Sequence, residues 1–310
     1  MNRPRPRYVV TVVVAVVALA VGLLSPLVWA KIAGPSAKDR IEADPPPTLY
    51  SSAQIKPVDA MVTSQDAQAH QLMQKWWKSH GRGPDDKAFA QWLVKNFPKP
   101  PQDRKAEMSV LEDQKARRTD SGVMAATWLE AHGKKDIWKL YAHDQAEWLP
   151  AKAGDARKKD VKQMLKLAKN ATDGVSERYR VSSPYVLDRG LLDARSKDQD
   201  PILKLKSEKR PCPCSYPAGH AAKAAAARTY LGELQPHMLG QYRWMESEID
   251  WSRIYMAGHL PSDVSAGALL GDMIGEYFAV TRGGFTPDDL APGAHPSPPA
   301  KQETLSEARL

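Results

Sequence analysis

The chain has 310 residues, 42% of them apolar, with 44 Lys and Arg against 36 Asp and Glu for a formal charge of +8. That apolar share suffices for a packed core and excludes a chain disordered throughout. The charge does not point to a nucleic-acid partner, because Arg3, Arg5 and Arg7 supply part of it and elsewhere basic residues alternate with acids rather than forming one stripe.

The opening "MNRPRPRYVVTVVVAVVALAVGLLSPLVWAK" sets a basic flank before an apolar run from Tyr8 to Leu24, then Pro26 and Val28-Trp29-Ala30. Residues 1–30 are expected to be a secretory signal peptide cut after Ala30 or a retained membrane anchor, with the remainder working in the periplasm or cell envelope. Residues 31–105 are expected to form a linker and a helical extension. The stretch "DPPPTLYSSAQIKP" lacks periodicity, whereas Ala67 to Phe97 predicts two short helices split at "GRGP", the second capped by Asp85 or Asp86. Trp76, Trp77 and Trp92 read as packing residues. After "PKPPQD", residues 106–285 carry helix-period apolar patterns with no strand alternation and no repeat, so the fold class is all-α. Residues 286–310, rich in Pro and polar residues, read as a disordered tail. Cys212 and Cys214, one residue apart, are too close for an unstrained bridge and too few for a closed zinc site. Free thiols or an intermolecular bridge are expected there.

Two helices are predicted to begin at chemically loaded positions, one at Gly219-His220 after "SYPA", the other near Ser262 in "WSRIYMAGHLPSD". A helix N-terminus carries unpaired N–H groups and partial positive charge, a natural seat for phosphate, and Gly219 has no side chain to keep an anion from that backbone. Arg253 offers a bidentate guanidinium to phosphoryl oxygens. His259 is a nucleophile if a partner fixes its tautomer, and Asp263, on the first turn of the next helix, is the expected partner. His220 is then left to protonate a leaving oxygen. Each residue alone has a plainer reading, as surface charge or helix cap, and it is the combination in fixed order that points to metal-free phosphoryl transfer.

"SRIYMAGHLPSD" resembles the third signature, S-R-x5-H-x3-D, of the type 2 phosphatidic acid phosphatase superfamily, and "SYPAGH" resembles the second, P-S-G-H, with Ala218 in place of serine. The likeness covers roughly Asp136 to Gly284 and is nearest to bacterial class A non-specific acid phosphatases, relatives of the vanadium haloperoxidases. It implies a helical bundle of that type, a phosphohistidine on His259 stabilised by Asp263, acid catalysis by His220, and phosphate contacts from Arg253, Ser252, Ala218 and the Gly219 backbone. The first signature, K-x6-R-P, departs from the pattern. Lys204 with Arg210-Pro211 is one residue short; "ERYRVSSPYVLD" has Ser183 where arginine belongs, with Arg178 or Arg180 as substitutes. Arg210, followed by proline, is preferred as the phosphate ligand.

The expected function is an exported, metal-independent phosphomonoesterase with no cofactor, a small phosphomonoester as its partner, and membrane contact only through the N-terminal segment. The alternatives are a haloperoxidase that holds vanadate, otherwise an inhibitor, as its cofactor, and a non-catalytic phosphate-binding envelope protein.

Overall fold

A computed structural model describes residues 34–193 and 214–292. Among these residues the protein is all-α, with no strand and a single isolated bridge between Ser182 and Cys214. The chain divides into two compact units, Met1–Asp44 and Pro45–Leu310. In the first, α1 (Ala37–Ala43) starts at a reciprocal cap in which Asp39 N–H donates to Ser36 Oγ at 3.1 Å and Ser36 N–H to Asp39 Oδ2 at 2.8 Å. The apolar run expected as signal or anchor lies outside the described residues, and within them no helix is long and apolar enough to cross a membrane.

The second unit opens with α2 (Ser52–Thr63), in a segment expected to be a linker. Its buried Ile55, Val58 and Val62 do have helical spacing, but the helix begins inside "DPPPTLYSSAQIKP", where the stripe has only just started. Next come α3 (Asp66–His80) and α4 (Asp86–Asn96), broken at "GRGP" as predicted, and Asp85 caps α4 by accepting from Ala88 N–H at 2.9 Å. Trp76 and Trp77 are buried, and Phe89 beside them stacks on Tyr277 at a ring separation of 4.1 Å. Residues 45–105 thus pack within the same compact unit as the helices that follow.

Those helices are α5 (Lys105–Ala116), α6 (Asp120–His132), α7 (Asp136–Glu147), the 29-residue α8 (Ala151–Tyr179) and a short α9 (Pro184–Leu187). Then come α10 (Gly219–Leu234), α11 (Leu239–Tyr255) and α12 (Pro261–Phe278). α8 buries Val161, Met164, Ala168, Ala171 and Val175, one stripe at three- and four-residue steps. α11 and α12 are buried almost throughout and form the centre.

α10 and α12 meet backbone to backbone. The row Gly267, Gly271, Gly275 on α12 faces buried alanines of α10, and a Cβ added at Gly267 or Gly271 would lie 2.4 Å from the carbonyl of Ala218 or Ala222. This close approach brings the two helix N-termini together, where Ala218 N–H donates to the Asp263 carbonyl at 2.8 Å. Cys214 is disulfide-bonded, which corrects the expectation of a free thiol; the other cysteine, Cys212, lies outside the described residues.

Candidate active site

The spacing of "SRIYMAGH" follows from how α11 ends. Ala257 adopts a left-handed conformation, φ 55°, and turns the chain back so that Gly258 N–H and His259 N–H both reach the Arg253 carbonyl, at 3.0 and 3.3 Å. Arg253 and His259 are thereby held on one side of the turn. The His259 ring is fixed by Nδ1 at 2.8 Å from the Ser215 carbonyl. A carbonyl only accepts, so Nδ1 carries the hydrogen and Nε2 of the neutral ring keeps a free lone pair. Burial, with Arg253, Lys134 and Arg104 nearby, pushes the imidazole down to about 3 against the opposing Ser215 bond, so the neutral form prevails in mild acid.

Asp263 was expected to orient His259, and the structure corrects that role. Its carboxylate accepts from Leu260 N–H at 2.9 Å and pairs with Arg104, while Ser215 supplies the carbonyl that holds His259. Asp263 is fully buried, and burial raises its pKa although Arg104 and Leu260 oppose the rise. The same helix start is clamped by Glu107, which accepts from Ser262 N–H at 2.6 Å and from Ser262 Oγ at 2.7 Å. Asp263 therefore acts one step away, by seating the turn between His259 and α12.

Arg253 is buried and thoroughly engaged. Its Nε donates to Ser252 Oγ at 3.0 Å, one Nη donates to the Ala126 carbonyl at 3.1 Å, and the other pairs with Glu130. Burial lowers its pKa to about 10, which leaves it charged at neutral pH. Ser252, expected to touch phosphate, is fully buried; its hydroxyl donates to the Ile249 carbonyl and accepts from Arg253, so it aligns the guanidinium.

His220 sits at the second position of α10, with Nε2 3.2 Å from Glu130 Oε2. Burial, then the positive charge of Lys134 and Lys223, holds it well below the ordinary histidine range. Gly219 just before it needs its missing side chain for neither conformation nor packing: an added Cβ would meet only Thr172 Cγ2, at 3.4 Å. Ala218 is the buried N-cap residue and provides no side-chain cap.

The structure thus brings together His259, His220, Arg253 and the α10 N-terminus, with Asp263 behind them. Lys204 and Arg210 lie outside the described residues. Arg178 and Arg180 are committed elsewhere, Arg178 to the Val94 and Lys95 carbonyls and Arg180 to Glu177. Ser183, where the pattern wants arginine, is buried at the start of α9.

Four residues escaped the sequence reading. Glu130 and Lys134 come from the end of α6 and the turn after it, joined to each other at 2.6 Å; Arg104 and Glu107 come from the Pro-rich break and α5. Only the paired lysines of "HGKKD" gave a signal, one easily absorbed into a solvated turn. For a metal, the described residues offer His143, Asp144 and Glu147, whose ligand atoms lie within 4.8 Å of one another at the end of α7. None of the three belongs to the histidine site. No family model matches the chain, and no curated protein matches it.

Proposed function

We propose that this protein is a metal-independent phosphomonoesterase of the acid phosphatase type, working at the His259 site through a phosphohistidine, with the helical-bundle fold that its second and third signatures imply. The observation that carries the reading is the Nδ1 bond from His259 to the Ser215 carbonyl, which leaves Nε2 as a nucleophile beside a buried, charged Arg253.

The reaction runs in two steps. The Nε2 lone pair attacks phosphorus, the P–N bond forms, and the P–O bond to the alcohol breaks with its electron pair leaving on oxygen. His220 gives that oxygen a proton. In the resting site burial, then neighbouring positive charge, disfavours the imidazolium, and a phosphoryl dianion beside it would favour the protonated form. Water then attacks phosphorus, gives a proton back to His220, and releases phosphate from His259. Arg253 and the first N–H groups of α10 stabilise charge on the equatorial oxygens. Export to the periplasm or cell envelope accompanies this reading and rests on the N-terminal sequence.

The test is hydrolysis of p-nitrophenyl phosphate by residues 31–310 in EDTA at pH 5, wild type against His259→Ala. Chelator-resistant activity that vanishes in the variant supports the reading, whereas activity that survives the substitution sinks it. A second reading, phosphate binding without turnover, is favoured by Ala218 at the position of the family's serine. Phosphate affinity with no hydrolysis would establish it. Bromide oxidation by peroxide and vanadate would instead show the haloperoxidase alternative.

A further inference from the structure

The Glu130 carboxylate occupies a peculiar position. Its Oε2 lies against Arg253 and 3.2 Å from His220 Nε2, and its Oε1 is 2.6 Å from Lys134 Nζ. Two cations and a histidine, from α11, the α6–α7 turn and the start of α10, converge on one anionic group. We propose that Lys134 is a phosphate-binding residue of this site, and that the Glu130 carboxylate holds the place of the phosphoryl group until substrate displaces it. The inference rests on the proposed anion site, and deepens it by naming the cation that the broken first signature lacks.

Three further observations support it. The pair sits at the rim, with side-chain exposure of 29% for Glu130 and 42% for Lys134, so both can swing toward solvent without disturbing the core. Arg253 has other bonds, to Ser252 and Ala126, that keep it in place when Glu130 leaves. The surroundings hold surplus positive charge: Lys223 on α10 is pushed down to about 8 by burial and then by Lys134, and Lys134 is also the leading charge that suppresses the imidazolium of His220. A dianion relieves that repulsion more than a single carboxylate does.

The experiment is calorimetric titration of inorganic phosphate into residues 31–310 as wild type, Glu130→Gln, Lys134→Gln and Lys134→Arg, with circular dichroism confirming the helical fold of each. Removing the internal competitor in E130Q is expected to tighten phosphate about tenfold, and K134Q to weaken it about tenfold, with K134R close to wild type. Unchanged affinity in either E130Q or K134Q, or no phosphate binding by any of the four, overturns the proposal. Hydrolysis of p-nitrophenyl phosphate is read on the same samples. The expected affinity pattern without turnover sinks the phosphatase reading and leaves this one standing. His259-dependent turnover with phosphate affinity indifferent to both positions does the reverse.

Discussion

The neutrality of His259 is set by its surroundings. Its folded pKa is depressed to about 3 from an ordinary 6.5, chiefly by burial. Proton-coupled NMR of the ring is therefore expected to show the neutral, Nδ1-protonated tautomer throughout pH 5–8, and a midpoint near 6.5 would remove burial as the controlling cause. Ala218 offers a second test at this scale. The family resemblance implies a hydroxyl there, and Ala218→Ser is expected to raise kcat by up to about 10²-fold by adding a donor to the transferred phosphoryl group. An unchanged or lower kcat in a folded variant would mean that the alanine is not the missing donor. His259, Arg253 and His220 could be named as candidates from the sequence because the proposed phosphoryl transfer would use those side-chain types, and the structure places them near one another. The partner of His259 could not, since a backbone carbonyl such as that of Ser215 leaves no trace in residue identity.

At the scale of elements, the site depends on how closely α10 and α12 approach. The glycine row of α12 lets the Ala218 and Ala222 carbonyls come within contact of its backbone. Gly271→Leu is expected to force the helices apart, lowering stability by about 1–3 kcal/mol or more and lowering activity with it. Urea unfolding checks the first effect; a loss under about 0.5 kcal/mol would show that the interface yields elsewhere. Both helix starts were legible, at Gly219 and near Ser262, because the glycine ahead of an alanine-rich run and Pro261 with the acidic first-turn Asp263 are local signals. The helix Ser52–Thr63 was not, because it begins inside the Pro-rich stretch "DPPPTLYSSAQIKP", which shows too few apolar residues for a period to emerge.

For the whole molecule, buried ionisable groups set the pH range of stability. Glu248, on α11, accepts from Tyr50 N–H at 3.0 Å, and burial raises its pKa from 4.5 to about 8. Burial also raises Glu276 to about 7, although His70 opposes the rise. Between pH 4.5 and 8 the unfolded chain has given up these protons and the folded chain retains them, so stability falls as pH rises. His259 works in the opposite direction: below 6.5 the unfolded ring is protonated and the folded one is not, so its contribution is lost as pH falls toward 3. Together they place the stability maximum on the acid side of neutrality. Glu248→Gln is expected to flatten the fall in Tm between pH 5 and 8, and an unchanged slope would remove Glu248 as a cause.

Sequence by itself determined the all-helical class and the two helix starts and named the candidate site side chains, because apolar periodicity, caps and residue chemistry are local properties. Tertiary structure alone decided that Ser215 orients His259, that Arg104 and Glu107 clamp the start of α12, and that Glu130 and Lys134 enter the cation cluster. The contacts of Ser215, Arg104 and Glu107, and those of Glu130 with Arg253 and His220, join residues far apart in the chain. Their partners become definite only when the whole bundle has closed.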